Sequence, residues 1–343
     1  MKKKIILLAL TAVMGLSVFS GCKKEDTTTF DGQKTRVVIG SSSTTGDSYL
    51  VADTTMRYLS EELGADIKVD AVGAGPAFEA LFKAKPDGST IMMFHDMTYL
   101  GISFEAFEDK YALENMIVGP RVAQNPGSLF AASKSAPYED MKEMAEWLKA
   151  NPAEVSRVAV EAGCVSYIGF IAYYNWVVET YGQDVAERIQ VVVGGSTAEK
   201  SQMLWDGNAD VIFADYSSLL QYTEEGVDDQ LAMKFVGVLD EIDGDGSPSY
   251  KDMGITLNNE PFVFSKDFII YLPKDMDPAL VAELDKAVEA ISQNQEFIDA
   301  VNKLKYKVAY LPSAEADTFI KAKRDSLDGL IKASPSLDVL TVQ

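Results

Sequence analysis

The stretch Arg36-Val-Val-Ile-Gly-Ser-Ser-Ser-Thr-Thr-Gly46 decides the fold class, because a run of β-branched residues passes directly into a loop of small residues. β-Branched residues favour strands. The segment after the loop carries one apolar helical face, formed by Ala52, Met56, Leu59 and Leu63. A strand that leads through a short loop into an amphipathic helix is the first half of a βαβ unit. The stretch therefore predicts an α/β protein.

The same alternation of strand and helix continues along the chain. Strands are predicted at residues 67–71, 90–94, 129–132, 158–160, 190–193, 211–213, 235–238 and 268–272. Helices are predicted between them, and one of these opens with Asp277 as N-cap and Pro278 at the first helical position. With 343 residues the chain is long enough for two domains. We therefore predict two lobes, each with a mostly parallel sheet flanked by helices.

The N-terminal segment has the pattern of an export signal. Three lysines precede an apolar run over residues 5–19, which is shorter than the ~20 residues that a membrane-spanning helix needs. The run is followed by Ser20-Gly-Cys22, which resembles the bacterial lipobox. We therefore predict a lipoprotein signal peptide over residues 1–21, lipidation of Cys22 and a protein anchored to a bacterial membrane outside the cytoplasm. An ordinary signal peptide followed by a chance cysteine is the alternative.

The charge balance limits the class of partner. The formal net charge is −21, and removal of the three N-terminal lysines with the signal peptide changes it to −24. Nucleic acids and anionic lipid surfaces attract clustered cations, so we expect neither to bind this acidic surface. Cys22 and Cys164 are the only cysteines, and lipidation of the first leaves no disulfide framework. We expect a monomer without cofactor or metal.

One acidic segment has the spacing of a calcium loop. Positions 1, 3, 5 and 12 of that loop are occupied by Glu241, Asp243, Asp245 and Asp252. Pro248 replaces the usual apolar residue at position 8, and no helix is predicted before the segment. An acidic surface turn is therefore the favoured interpretation.

Three loops rich in small residues follow predicted strands and precede predicted helices, at residues 41–47, 73–76 and 194–197. In open α/β sheets ligands bind beyond the carboxyl ends of the strands, and helix N-termini there bind anions through backbone N–H groups. Ser196 and Glu199 also have the spacing of a capping box, which satisfies helix N–H groups without a ligand. Each loop alone is a weak signal, whereas three in one exported chain favour ligand binding.

Several motifs occur in the order and spacing of a known family. They are Gly73-Ala-Gly75, Pro86-Asp-Gly-Ser-Thr90, Gly194-Gly195, Leu204-Trp-Asp-Gly-Asn-Ala-Asp-Val-Ile-Phe213, Ser249-Tyr-Lys-Asp-Met-Gly254 and Leu272-Pro273. Over residues 36–335 the chain resembles the extracytoplasmic solute-binding receptors of tripartite tricarboxylate transporters. The resemblance implies a two-lobed type II periplasmic-binding-protein fold that closes over a small carboxylate. Such a receptor passes its solute to the permease subunits of a membrane transporter and catalyses no reaction.

The resemblance also implies domain boundaries. Residues 22–35 would form a tether, residues 36–122 the first part of lobe I, residues 123–263 lobe II, and residues 264–343 the C-terminal part of lobe I. The lobes would be joined near residues 119–126 and 260–265, where proline and glycine interrupt the patterned segments.

The ligand would lie between the lobes, against the loops that follow the strands. The candidate ligand-binding residues are Ser42, Ser43, Thr45, Gly46, Asp47, Gly75, Pro76, His95, Asp96, Glu161, Cys164, Ser166, Gly194, Gly195, Ser196, Asp215 and Tyr216. Backbone N–H groups at the helices that open near Asp47 and Ser196 would bind a carboxylate.

Four of these candidates are acidic, namely Asp47, Asp96, Glu161 and Asp215, and no arginine lies in the candidate loops. Together the four carboxylates would repel a bare tricarboxylate. A hydroxy- or amino-carboxylate brings donors that such groups accept, and it therefore suits the loops better than citrate.

Two alternatives remain open. Cys164 and His95, the only histidine, make up a conceivable thiol–imidazole pair of an extracytoplasmic enzyme. A lone cysteine and a lone histidine without a spacing motif are more often pocket lining or core. The receptors of TRAP-type transporters share the expected fold and are the nearer alternative, although residues 86–90 and 194–213 favour the tripartite tricarboxylate receptors.

Overall fold

The computed structural model describes residues 29–44, 46–161, 163–242, 244–257, 259–334 and 337–341. The predicted signal peptide and Cys22 lie outside these ranges, and so does Thr45. In the part of the chain that is described, no helix is both long enough and apolar enough to cross a bilayer.

Strands and helices alternate along the chain, as the sequence predicts. In chain order the strands are β1 (Lys34–Ile39), β2 (Asp66–Ala71), β3 (Thr90–Phe94), β4 (Met116–Asn125), β5 (Ser128–Ser133), β6 (Ser156–Val160), β7 (Ile189–Val193), β8 (Val211–Asp215), β9 (Met233–Val238), β10 (Thr256–Leu257), β11 (Glu260–Pro261), β12 (Lys266–Pro273) and β13 (Lys307–Leu311). The helices are α1 (Asp47–Leu63), α2 (Ala74–Phe82), α3 (Met97–Ser103), α4 (Met141–Ala150), α5 (Val165–Tyr181), α6 (Gln183–Ala186), α7 (Thr197–Trp205), α8 (Tyr216–Leu219), α9 (Pro278–Ser292), α10 (Gln295–Lys303), α11 (Ser313–Ala333) and α12 (Leu337–Leu340).

The first sheet has six strands in the order β13-β4-β12-β3-β1-β2. β1 pairs in parallel with both β2 and β3, so that α1 and α2 form crossover connections. β12 pairs antiparallel with β3 and β4, and β13 pairs antiparallel with β4. The second sheet has five strands in the order β7-β6-β8-β5-β9, with parallel pairs around β6 and antiparallel pairs around β5.

The path of the chain between the sheets creates two lobes. β4 of the first sheet ends at Asn125, and β5 of the second sheet begins at Ser128. After β9 the chain returns to the first sheet as β12. The two-lobed α/β prediction is confirmed. The prediction of mostly parallel sheets is wrong, because the strands that carry the chain between the lobes run antiparallel to their neighbours.

The sequence prediction misses β4 and β13, as well as the two-residue strands β10 and β11. Pro120 lies inside β4, which has a partner on both sides, and proline normally marks an edge strand or a bulge. The pairing of β4 with β12 is irregular at this point, since it passes from Arg121 opposite Ile269 to Val118 opposite Tyr271. The bulge accommodates the proline within an inner strand. β13 is an edge strand whose side chains are all half-buried, so its apolar pattern is weak.

The described residues form three buried apolar clusters, one of which joins the lobes. One lies under α1 and α9 on the first sheet and includes Leu59 and Leu284. Another lies under α7 and α8 on the second sheet and includes Leu204. The largest runs from the first sheet through α11 to α5 and the second sheet, and Ile320 and Phe170 lie within it. The apolar segment that begins at residue 165 is therefore a buried helix shared by both lobes.

The two ends of the described chain both contact the lobes. Phe30 is buried, and β1 begins at Lys34. Near the C-terminus, Thr341 pairs with Val191 of β7 and lies beside the second sheet. The domain boundaries stay a prediction.

Candidate functional site

A cavity of about 530 Å³ lies between the lobes, at the edge where the parallel strands of both sheets end. Lobe I lines it with Gly40, Ser41, Gly46, Ser48, Ala74, Phe94, His95, Met97 and Lys266. Lobe II lines it with Glu161, Cys164, Val165, Ser166, Val193, Gly195, Thr197, Lys200, Phe213, Ala214 and Asp215. The lining combines apolar side chains with polar groups, as small-molecule sites do.

The fold brings seven of the predicted site residues to this cavity: Gly46, His95, Glu161, Cys164, Ser166, Gly195 and Asp215. Gly194 and Ser196 flank Gly195, and Ser42 and Ser43 lie exposed in the loop before α1. Thr45 and the side chain of Asp47 lie outside the described part of the chain.

Four predicted residues point to other surroundings. Gly75 and Pro76 line a separate, open cavity beside Tyr111. Tyr216 is buried and its hydroxyl donates to Asp245 at 2.6 Å. Asp96 is fully buried and is bound by Lys323 and Tyr99. These four do not line the central cavity.

Helices from both lobes begin at the cavity, among them α1, α2, α5 and α7. Gly46 is the N-cap of α1, and Ala74 is the first residue of α2. Val165 and Thr197 are the first residues of α5 and α7. The N–H groups of a first helical turn have no acceptor within the helix, and they carry the positive end of the helix dipole. The cavity therefore presents anion-binding backbone on both sides.

Ser196 caps α7 as predicted, but the return hydrogen bond of the capping box is made one residue before the N-cap. Ser196 Oγ accepts a hydrogen bond from the Glu199 backbone N–H at 3.1 Å. The Glu199 carboxylate in return accepts from the Gly195 N–H at 2.8 Å. The Ser196 hydroxyl is thus engaged in capping the helix.

The loop between β6 and α5 is organised by Ser166, whose side chain is buried. Its Oγ accepts from the Glu161 N–H at 2.8 Å and lies 3.2 Å from the Glu161 carbonyl oxygen, to which it donates. The Cys164 sulfur lies 3.0 Å from Ser166 Oγ. This serine holds the loop in place at the cavity wall.

A buried lysine that the sequence did not reveal pairs with Glu161. Lys200 Nζ lies 2.5 Å from Glu161 Oε1, and the exposed side-chain fractions are 1% for the lysine and 38% for the glutamate. A Cβ at position 194 would lie 2.6 Å from Lys200 Cγ, so Gly194 makes room for the lysine stem. No local motif announces this lysine, because its partner is 39 residues away in the sequence.

A second ion pair joins the lobes at the cavity wall. Lys266 opens β12 of lobe I, and its Nζ lies 2.5 Å from Asp215 Oδ1 at the end of β8 in lobe II. Asn125, the last residue of β4, donates to the same carboxylate oxygen at 2.8 Å. Asp215 is therefore held by both strands that carry the chain between the lobes.

The third acidic residue, Asp96, belongs to a buried network behind the cavity. Lys323 of α11 lies 2.5 Å from Asp96 and 2.6 Å from Asp267. Tyr99 donates to Asp96 at 2.7 Å, and the Asp267 N–H donates to it at 2.7 Å. Asp96 thus anchors the start of β12.

These pairings correct the expectation of acidic repulsion. Asp96, Glu161 and Asp215 each lie within 2.5 Å of a lysine nitrogen. An ammonium at that distance cancels most of the field of the carboxylate. The cavity therefore does not repel an anion in the way that four bare carboxylates would.

His95 is a neutral donor at the lobe I wall. Burial in the cleft, reinforced by the Lys266 charge, lowers its pKa to about 3. Its Nδ1 accepts from the Met97 N–H at 3.3 Å. A neutral imidazole with that acceptor carries its proton on Nε2, which makes Nε2–H a hydrogen-bond donor.

The thiol of Cys164 lacks the electrostatics of a nucleophile. Burial, reinforced by the Glu161 charge, raises its pKa to about 11. Reactive cysteines have a lowered pKa, and their histidine partners carry the proton. In this protein the pKa of Cys164 is raised and the pKa of His95 is lowered. Both shifts are the reverse of what a thiolate–imidazolium pair requires.

The acidic segment that resembles a calcium loop is occupied by internal contacts. Glu241 pairs with Lys251 at 2.8 Å, and Asp252 accepts from Ser249 at 2.7 Å. Asp243 lies outside the described part of the chain. Among the residues described, no group of three or more His, Cys, Asp or Glu side chains is placed to hold a metal.

No protein-family model and no curated protein matches the sequence. Solved structures do match over almost the whole chain. The periplasmic binding protein BugD has 17% sequence identity, covers 88% of this chain and 97% of its own, and gives a TM-score of 0.67. The chain has the periplasmic-binding-protein fold.

Two further structures with this fold carry ligands. MatC of Rhodopseudomonas palustris, solved with bound malate, has 17% identity, covers 87% of this chain and 99% of its own, and gives a TM-score of 0.68. A second R. palustris protein, solved with adipate, has 14% identity, covers 88% and 96%, and gives a TM-score of 0.69. The type II periplasmic-binding-protein fold that the motifs implied is confirmed.

Proposed function

We propose that this protein is an extracytoplasmic receptor that captures a small carboxylate between its two lobes and delivers it to a membrane transporter of the tripartite tricarboxylate type. The observation that carries the proposal is the convergence of α1 and α2 from one lobe and α5 and α7 from the other on a single cavity. Carboxylates bind well at such helix N-termini.

Closure follows from this arrangement. A ligand that contacts the N-termini of both lobes binds the closed form better than the open form, and it shifts the population accordingly. Phe94, Val165 and Phe213 add apolar surface to the wall, which suits the carbon chain of a small organic acid.

The structural neighbours support the ligand class. One of them was solved with malate and one with adipate, and both compounds are small dicarboxylates. The transporter class rests on the sequence motifs, in particular residues 73–75, 86–90 and 204–213.

The proposal includes a lipid anchor at Cys22. The described chain begins on lobe I, where Thr29 Oγ1 and the Phe30 N–H both donate to Glu283 of α9, at 2.7 and 3.0 Å. An anchored chain would therefore join the protein at this helix. Mass spectrometry of the mature N-terminus tests this part.

Gly195→Val is the sharpest test of the site. A Cβ at position 195 would meet only Glu199 Oε2, at 3.4 Å, so the fold accepts a side chain that the approaching ligand does not. We expect malate or adipate to stabilise the parent protein against heat, by about 2.7 kcal/mol at a hundredfold excess over Kd. Gly195→Val should melt normally and lose at least tenfold in affinity by calorimetry.

Gly329→Val is the matched control, because Gly329 is exposed on α11 and a Cβ there meets no atom within 4 Å. It should bind as the parent does. Equal affinity of Gly195→Val and the parent would refute the lobe II half of the site. Recovery of a chemically altered ligand after long incubation would instead favour an enzyme.

A further inference from the structure

The two side chains of the Glu161–Lys200 ion pair differ in their exposure to solvent. The lysine side chain is 1% exposed, whereas the glutamate side chain is 38% exposed and lines the cavity. The lysine also lies over the Phe213 ring, with its Nζ 5.8 Å from the ring centre. Both residues line the cavity, but the glutamate is the more exposed of the two, so a ligand in the cavity meets mainly the carboxylate of this pair.

The two lysines that line the cavity, Lys200 and Lys266, each form an ion pair with a carboxylate of the protein. Lys200 is bound to Glu161 and Lys266 to Asp215, each at 2.5 Å. Each ammonium is already charge-compensated by its carboxylate, so its attraction for a ligand anion is weakened. We therefore expect the ligand carboxylate to bind the backbone N–H groups at the helix N-termini.

Glu161 stands close to one of these N-termini. It directly follows β6 in the loop that leads into α5, and its main chain is bound to Ser166 in the first turn of that helix. A ligand carboxylate at the α5 N-terminus thus brings its neighbouring carbon atoms next to the Glu161 carboxylate. Glu161 accepts from Lys200 at Oε1 and from the Cys164 thiol at Oε2, which lies 3.6 Å from the sulfur. Each carboxylate oxygen can accept a further hydrogen bond, which an N–H or O–H group of a ligand supplies and a plain hydrocarbon chain does not.

We propose that Glu161, charge-balanced by Lys200, determines the specificity of the site and selects carboxylates that also carry an amine or hydroxyl donor near the carboxylate. The inference rests on the proposed receptor function and adds that the receptor distinguishes carboxylates with such a donor from those without one. A plain dicarboxylate of the same length desolvates Glu161 without replacing its hydrogen bonds with water, and a site built to bind a donor rejects a ligand that lacks it.

The test is a calorimetric comparison of acids that differ only in the donor. The sets are succinate, malate and aspartate; glutarate, 2-hydroxyglutarate and glutamate; and adipate with 2-aminoadipate. In the parent protein the tightest substituted acid should bind at least tenfold more tightly than the plain acid of its set. The set that contains the tightest-binding acid identifies the preferred chain length of the ligand. Within that set, the comparison of the amino acid with the hydroxy acid identifies the preferred donor.

Glu161→Gln keeps the shape and removes the charge. It should weaken an amino acid at least tenfold, and a hydroxy acid less, because the glutamine carbonyl still accepts from a hydroxyl. The affinity for plain acids should stay the same or rise. Glu154→Gln is the matched control, since Glu154 is exposed and precedes the opposite end of β6. It should leave all affinities unchanged.

Because Glu161→Gln leaves Lys200 without its carboxylate, Glu161→Gln with Lys200→Met provides a variant without an unpaired buried charge. It should show the same loss of preference. Plain acids that bind the parent as tightly as substituted ones would overturn this inference alone, and so would a preference that survives in both variants. Failure of every acid to bind the parent would overturn the proposed function as well.

Discussion

His95 should make the stability of the ligand-free protein depend on pH between 7 and 5. Burial in the cleft and the nearby Lys266 and Lys323 charges lower its pKa to about 3, against the partial opposition of Asp215. In the unfolded chain a histidine has a pKa of ~6.5. The unfolded state therefore binds a proton in this window while the folded state does not, and stability falls as the pH is lowered.

The magnitude follows from proton linkage. Between pH 7 and pH 5 the unfolded histidine passes from about one quarter to almost complete protonation, while a folded pKa near 3 leaves the native histidine neutral. Integration gives a loss of about 2 kcal/mol in the free energy of unfolding, most of it below pH 6.5. Any folded pKa below about 4 gives nearly the same value, because the native histidine is then neutral over the whole interval.

Urea denaturation at pH 7, 6 and 5 measures the effect, with His95→Gln as the comparison. Glutamine reproduces a neutral acceptor for the Met97 N–H, and no other histidine exists in the chain. Carboxylates titrate alike in both proteins, so the difference between their pH dependences isolates His95. We expect the parent to lose about 2 kcal/mol more than the variant between pH 7 and pH 5. Identical pH dependences would refute the assignment of a neutral histidine at this half-buried position.

Two further substitutions separate stability from binding. Ser196→Ala removes the cap of α7 and should lower the free energy of unfolding by about 1 kcal/mol, measured in urea, with little change in ligand affinity. A tenfold loss of affinity at unchanged stability would instead assign the hydroxyl to the ligand. Lys266→Met removes the ammonium beside Asp215 where both groups are largely buried, and it should cost about 3 kcal/mol in the same assay. A loss below about 0.5 kcal/mol, as for an exposed pair, would contradict the importance of the bridge between the lobes.

Local sequence patterns were sufficient to predict most strands and the positions of the loops rich in small residues. β1 and its loop were readable because β-branched runs, small residues and helical spacing lie next to one another in the chain. β4 was missed because Gly119 and Pro120 read as a break. A Cβ at Gly119 would lie 2.4 Å from the Ile270 carbonyl oxygen, so the glycine serves close approach of neighbouring strands within the sheet.

The sequence by itself determined the α/β class, the two lobes, and the loops from which a site at the strand ends would be built. Only the tertiary structure decided which charges meet. From the sequence one can see only that Glu161, Asp96 and Asp215 are acidic. The lysines that pair with them are 39 or more residues away in the chain, and only the fold brings them into contact. Charge pairing depends on distances of a few ångströms, and sequence periodicity reports the face of an element but not its neighbour across a cleft.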